Sequence, residues 1–230
     1  MIKYRMCLTK GEELRFISHL DYAEVIRRAI LRAKLPVNYS EGFNPHMKMT
    51  FLAALALGVT SDAEYMDVEL TDELSPADIE AKLQAQLPNG VKLISVKNVD
   101  INCPTRKAQP DMAIYKIVVP LNPDEDTKLH TNAAFNRFNE ANEVIYQRIT
   151  PKKHQVFDVK QYLAETVKYE IKAQSLELLM HIRITAAGSV KAGEILQVLQ
   201  DDFQLPIDKD NALIHRQAVL FKNKPLIDWV

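Results

Sequence analysis

The sequence predicts an α+β protein in two units, and three observations predict it. Short runs alternate apolar with polar residues, the period of a half-buried strand. Longer runs repeat apolar residues at three- and four-residue steps, the period of an amphipathic helix. The two kinds of run succeed one another as strand, helix, strand, strand, helix, strand, which is the ferredoxin-like βαββαβ order. That order is read once before residue 104 and again, more elaborated, after residue 110. The expected fold is therefore two tandem ferredoxin-like units, over 1–104 and 110–230.

Each element has a local reason. Ile2, Tyr4, Met6 and Leu8 alternate with Lys3, Arg5 and Cys7, which predicts a first strand. Ser18 is a helix cap and Asp21 suits the first turn, so a helix is expected to about residue 34. Leu20, Ala23, Ile26, Ala29, Ile30 and Ala33 form its packing face, and Glu24, Arg27, Arg28 and Arg32 face solvent. Pro36 ends that helix. An extended 37–39, a loop marked by Gly42 and Asn44-Pro45, and an apolar 47–53 follow, the last open to a strand or a helical turn. Residues 65–70 alternate, Ser75-Pro76 opens a helix that Pro88-Asn89-Gly90 stops, and 91–99 closes the unit as a strand. Residues 102–111 hold two prolines and no apolar period, and read as a linker. The second unit is expected to contain strands at 112–121, 144–150, 155–162, 176–185 and 212–221, with helices at 132–143 and 191–203.

Composition narrows the function. An apolar fraction of 47% with 26% charged residues is that of an ordinary globular protein. The longest apolar run, 51–59, is about half the roughly 20 residues a bilayer span needs, and the N-terminal residues lack the pattern of a signal peptide. A cytoplasmic protein with no membrane partner is expected. Its two cysteines, Cys7 and Cys103, are read as packed thiols in a reducing compartment, and no cofactor or metal is expected. Two cysteines also cannot supply the three closely spaced thiolates of a radical SAM cluster, so the chain is not itself a radical SAM enzyme. Net charge is −1, yet residues 1–50 carry nine Lys and Arg against five Asp and Glu, and residues 51–100 carry three against nine. The basic charge is concentrated early, and the run Asp62, Glu64, Asp67, Glu69, Asp72, Glu73 reads as a solvated acidic face.

Two segments carry possible chemistry. In Arg15-Phe16-Ile17-Ser18-His19-Leu20-Asp21, a helix N-terminus with Arg15 beside it suits a phosphate or carboxylate. The plain alternative is that Ser18 and Asp21 only cap and His19 bonds locally. In the loop 40–48, Gly42, Phe43, Asn44, His46 and Lys48 combine a turn, a ring for stacking, an imidazole and an ammonium group, the mixture that holds a phosphate and stacks a base. The alternative is a structural turn with Phe43 plugged into the core. Arg28 adds a cation on the helix face. His19 and His46 as acid and base would make a nuclease or phosphate-ester hydrolase. His19, His46 and Asp21 as metal ligands match no dedicated motif. Lys152-Lys153-His154 reads as a surface basic turn.

These two segments, with Gly58-Val59-Thr60-Ser61 and Glu64-Tyr65-Met66-Asp67-Val68-Glu69-Leu70, resemble the characteristic segments of the radical SAM-linked protein family, also found fused to cobalamin-binding radical SAM proteins. The likeness spans nearly all of the first half and is looser after residue 110. It implies a radical SAM partner and, through gene neighbourhood, an RNA or ribosome context. The function expected is a non-catalytic accessory module that binds RNA (tRNA or rRNA), a ribonucleoprotein or a radical SAM protein. The expected binding residues are Arg15, Ser18, His19, Asp21, Arg28, Gly42, Phe43, Asn44, His46 and Lys48. The competing readings are the His19/His46 hydrolase and a protein-interaction scaffold that binds no RNA.

Overall fold

A computed structural model describes residues 2–99, 109–122, 126–151 and 153–229, the side chain of Lys153 excepted. Cys103, Lys152 and most of the expected linker lie outside the described residues. The contacts divide the chain into Met1–Pro110 with Arg216–Val230 and, separately, Asp111–His215. The class is mixed α+β, as expected. The C-terminal residues count with the first unit rather than with the second, where the sequence had put them.

The first unit contains β1 (Ile2–Lys10), α1 (His19–Arg32), a three-residue β2 (Met49–Phe51), β3 (Val59–Leu70), α2 (Pro76–Gln84) and β4 (Leu93–Val99). Its strands lie in the order β4-β1-β3, antiparallel, with β2 paired to β3. A late strand, β10 (Leu213–Phe221), also pairs with β3, and its residues from Arg216 onward belong to this unit. Helix α1 begins where Ser18 Oγ accepts the backbone N–H of Asp21 at 3.2 Å. Tyr22, Ile26, Ala29 and Ile30 are its buried face, packed with Tyr4, Met6 and Leu8 of β1 and Met66, Val68 and Leu70 of β3. Leu20, expected on that face, is 79% exposed instead, because the buried stripe runs through Tyr22, Ile26, Ala29 and Ile30, and Leu20, two residues before Tyr22, points to another side of the helix.

β3 is the strand with both faces covered. Along it Glu64 and Asp67 are buried, which corrects the expectation of a solvated acidic face at these two positions, while Asp62, Asp72 and Glu73 are exposed as expected. Each carboxylate has an arginine. Arg5 donates from Nε to Asp67 Oδ1 at 2.8 Å and from Nη2 to Asp67 Oδ2 at 3.1 Å. Its Nη1 donates to the carbonyls of Leu226 at 3.1 Å and Trp229 at 3.2 Å. One guanidinium thus neutralises a strand carboxylate and ties down the C-terminal turn over the same sheet face.

The second unit contains β5 (Met112–Pro120), α3 (Thr127–Glu140), β6 (Ile145–Thr150), β7 (Lys153–Asp158), β8 (Lys168–Ile171), β9 (Ser175–Arg183) and α4 (Ala192–Asp201). Phe135 and Phe138 of α3 and Ile195, Leu196 and Leu199 of α4 share a core with Leu176, Leu178, Met180 and Ile182 of β9. The order β5-β9-β8 is antiparallel, whereas β6 and β7 form a two-stranded sheet of their own. The succession strand, helix, strand, strand, helix, strand expected here is kept by β5, α3, β8, β9, α4 and β10, and the β6–β7 hairpin stands outside it as the elaboration. The hairpin is held by Arg148, which donates from Nε to Glu194 Oε1 at 2.6 Å and from Nη2 to the Ser189 carbonyl at 3.0 Å, with Phe157 under its guanidinium. Helix α3 starts five residues before the expected 132, and β8 was not expected.

The Arg5–Asp67 pair gives a direct stability test. Arg5→Ala leaves a buried carboxylate uncompensated and is expected to lower the unfolding free energy by about 3–5 kcal/mol, read by urea denaturation. Arg5→Met with Asp67→Leu is expected to recover most of that loss. A cost under about 1 kcal/mol for Arg5→Ala would mean that the pair is not buried as described.

Candidate functional site

The N-terminal end of α1 sits on a turn that the strands hold from below. Lys10, at the end of β1, is 1% exposed, and its ammonium group donates to the carbonyls of Arg15 at 3.2 Å and Ile17 at 2.9 Å. Tyr22, one turn into the helix, donates its hydroxyl to the Thr9 carbonyl at 2.8 Å. Gly58 donates its N–H to the Arg15 carbonyl at 3.1 Å, which draws the segment after β2 against the same turn. His19 meets Phe51 of β2 edge-on, with ring centroids 5.3 Å apart.

Beneath this turn lies a buried charged cluster. Glu64 shares a sheet face with Met66 and Val68, the face covered by α1. Arg216 donates from Nη2 to Glu64 Oε1 at 2.5 Å and from Nη1 to the Ala54 carbonyl at 3.1 Å. Glu64 and Arg216 are 0% and 1% exposed. The second carboxylate oxygen, Glu64 Oε2, has no hydrogen-bond partner and is shut off from solvent, and so is His19 Nδ1. Burial pushes the Lys10 ammonium below its usual value, against the pull of Glu64. Burial also pushes the Tyr22 hydroxyl up, and Glu64 adds to that rise. Two buried cations thus face one buried carboxylate that is only half satisfied.

The loop 40–46 is a separate feature at the edge of the sheet. Ser40 donates its N–H to the His46 carbonyl at 2.8 Å, and His46 returns its N–H to Ser40 Oγ at 2.9 Å, so the loop is closed by its own bonds. Gly42, at φ +119°, takes a conformation that side chains disfavour. Phe43 is 106% exposed and does not plug the core. His46 and Asn44 are exposed as well, and Lys48 lies 3.5 Å from Glu69.

The candidate residues therefore separate. His19 joins Lys10, Glu64 and Arg216, whereas His46 stands in the loop, and among the described residues no hydrogen bond or ring contact joins the two imidazoles. The metal triad that both rings would have shared with Asp21 is not assembled among the described residues. Among the described residues no group of three or more His, Cys, Asp or Glu is placed to hold a metal ion. Ser18 and Asp21 do form the cap, Ser18 Oγ also donating to Asp21 Oδ2 at 2.7 Å. Arg15 is buried and pairs with Glu12 at 3.3 Å. Arg27 and Arg28 share Glu24 at 2.6 Å each, so the helix face expected to be basic is partly neutralised. Sequence reasoning missed Lys10, Tyr22, Phe51, Glu64 and Arg216. No local signal set Glu64 apart: it lies in a stretch that also carries Asp62, Asp67 and Glu69 and reads as one member of an acidic run.

The cluster has a pH signature. Burial holds His19 below its ordinary value of 6.5, opposed by Glu64 and reinforced by Arg216 and Lys10. Because the folded value is the lower one, the unfolded chain takes up the proton first as pH falls. The contribution is fully present above the ordinary value and is lost as pH drops from it towards the folded value. Between about pH 7.5 and about pH 5.5 the wild type is expected to lose more unfolding free energy than His19→Gln. Equal losses in urea titrations would contradict the buried, neutral imidazole.

No curated protein matches the chain. Among solved structures, a chain of a crystallised Cbf5-Nop10-Gar1 complex matches at a TM-score of 0.51 and 11% identity, covering 96% of this chain and 50% of that one. A chain of an H/ACA RNP bound to a substrate RNA containing 2′-deoxyuridine matches at 0.46 and 13%, covering 96% and 49%. This chain spans about half the length of either, and at such identities the first likeness is one of fold alone. Among the described residues no helix is long and apolar enough to cross a membrane. None of these findings bears on a radical SAM partner. The sequence profile of the uncharacterised proteins conserved in bacteria, DUF2344, matches residues 3–192, and the chain belongs to that family.

Proposed function

We propose that the first unit binds single-stranded RNA, with Phe43 as the stacking residue. The observation that carries this reading is a fully exposed phenylalanine on a loop closed by its own hydrogen bonds. Leaving a large ring in water forgoes the stabilisation of its burial, about 1.5–3 kcal/mol, so the position suits a partner rather than the fold. The neighbours of Phe43 are polar: Asn44 and His46 offer hydrogen bonds and Lys48 a cation. A ring set among hydrogen-bonding groups fits an unstacked base better than it fits a protein interface, whose core is contiguous apolar area.

Charge plays a small part in this reading. Lys48 and Arg28 both have carboxylate partners, Glu69 and Glu24, so an RNA phosphate must compete for them. Binding is expected to weaken with salt at a log–log slope of about −1, shallow beside that of a phosphate-coating protein. A second reading, a protein partner, rests on Phe16 and Leu20, each 79% exposed, and Leu57, 63% exposed. The bond from Gly58 to Arg15 draws these residues together at the start of α1.

Fluorescence anisotropy with short single-stranded RNA separates the two. Phe43→Ala is expected to weaken binding by about tenfold or more, the scale of one lost base stack, and Phe43→Trp to retain it. No binding at low salt, or undiminished binding by Phe43→Ala, would overturn the proposal and favour the protein partner.

A further inference from the structure

We infer that the cluster under α1 is a ligand pocket closed by His19, and that it takes the hydrogen-bonding edge of a single nucleoside. The inference deepens the RNA reading and rests on it: the loop would hold the strand, and the cluster would receive one unit of it.

Two similar ion pairs in this unit are unequally complete. Arg5 satisfies both oxygens of Asp67, whereas Arg216 satisfies only Oε1 of Glu64. An unpaired, buried carboxylate oxygen is costly and rarely left without a purpose. Around it the unmet needs are specific. Glu64 Oε2 requires a donor. Lys10 has three N–H groups and spends two on the Arg15 and Ile17 carbonyls, so one remains. His19 Nδ1 is also without a partner. A ligand that meets these needs offers an N–H or O–H group beside an electron-rich oxygen or nitrogen. The edge of a nucleobase offers that pair, and so does the vicinal diol of a ribose. The surplus positive charge, Lys10 and Arg216 against Glu64, favours the acceptor half of such an edge.

Access is through the histidine. Both unpartnered atoms are shut off from solvent, so nothing reaches Glu64 until a side chain moves. His19 is the half-buried member and is held by an edge contact with Phe51, not by a hydrogen bond to the cluster. His19 is therefore the side chain that must move, its Nδ1 being free to bond to the ligand once it does.

The test uses the full chain with imidazole carbons labelled, His19 being assigned through His19→Gln. Each of the four nucleosides is titrated, and the corresponding free bases and ribose in separate series. The expected result is a saturable movement of the His19 signals by at least one nucleoside. The matching base or the ribose alone then tells which edge is read. Glu64→Gln is expected to weaken that binding by about tenfold, the loss of a charged hydrogen bond. If no compound moves the His19 signals in the wild type, the pocket is refuted whether or not Glu64→Gln folds, and RNA binding that still depends on Phe43 would keep the loop reading intact. Glu64→Gln binding as tightly as the wild type would also refute it.

Discussion

The first unit is organised around a strand that buries two carboxylates, one on each face. Asp67 and Glu64 lie three residues apart on β3, so they point to opposite sides of the sheet, and each draws an arginine from elsewhere in the chain. Arg5 comes from β1 and Arg216 from β10. A buried carboxylate is tolerable only with a partner, so these two pairs fix which strands flank β3 and in what register. The same guanidinium groups reach beyond the carboxylates. Arg5 fastens the C-terminal turn through the Leu226 and Trp229 carbonyls, and Arg216 fastens the segment after β2 through Ala54. The assignment of the C-terminal residues to the first unit follows from these bonds.

The two pairs differ in completeness, and that difference separates structure from chemistry. The Asp67 pair is closed, with both carboxylate oxygens engaged. The Glu64 pair is open on one oxygen and lies next to a buried lysine, a neutral histidine and a tyrosine whose hydroxyl is spent on the backbone. Such an imbalance costs stability, and the fold retains it under the N-terminal turn of its main helix. The loop with Phe43 repeats the pattern on the surface, where a large ring is left in water although the core has other rings to bury.

Much of the first unit was legible in the sequence because its signals are local. The alternation of Ile2 to Leu8, the Ser18 cap with Asp21, and Pro76 at the start of α2 each act within a few residues, and each element formed where expected. The loop was legible for the same reason, since Gly42 and Asn44-Pro45 specify a turn. Glu64 and Arg216 were not, because a carboxylate and a guanidinium 152 positions apart leave no trace in any window of the chain. The acidic run looked solvated because its charge was counted along the strand and the cover on both faces was not. In the second unit, β8 presents only Tyr169 and Ile171 to the interior, too short a pattern to register, whereas β6 and β7 fall close to the strands expected at 144–150 and 155–162.

The account's central claim is that the Glu64–Arg216 pair is retained at a cost to the fold. The most direct measurement is the unfolding free energy of Glu64→Met with Arg216→Met against the wild type, in urea at neutral pH. Removing the half-satisfied pair together should leave stability unchanged or raise it by about 1–3 kcal/mol, since an unpaired buried oxygen is lost. A fall of several kcal/mol would show that the pair holds the unit together and would contradict the account.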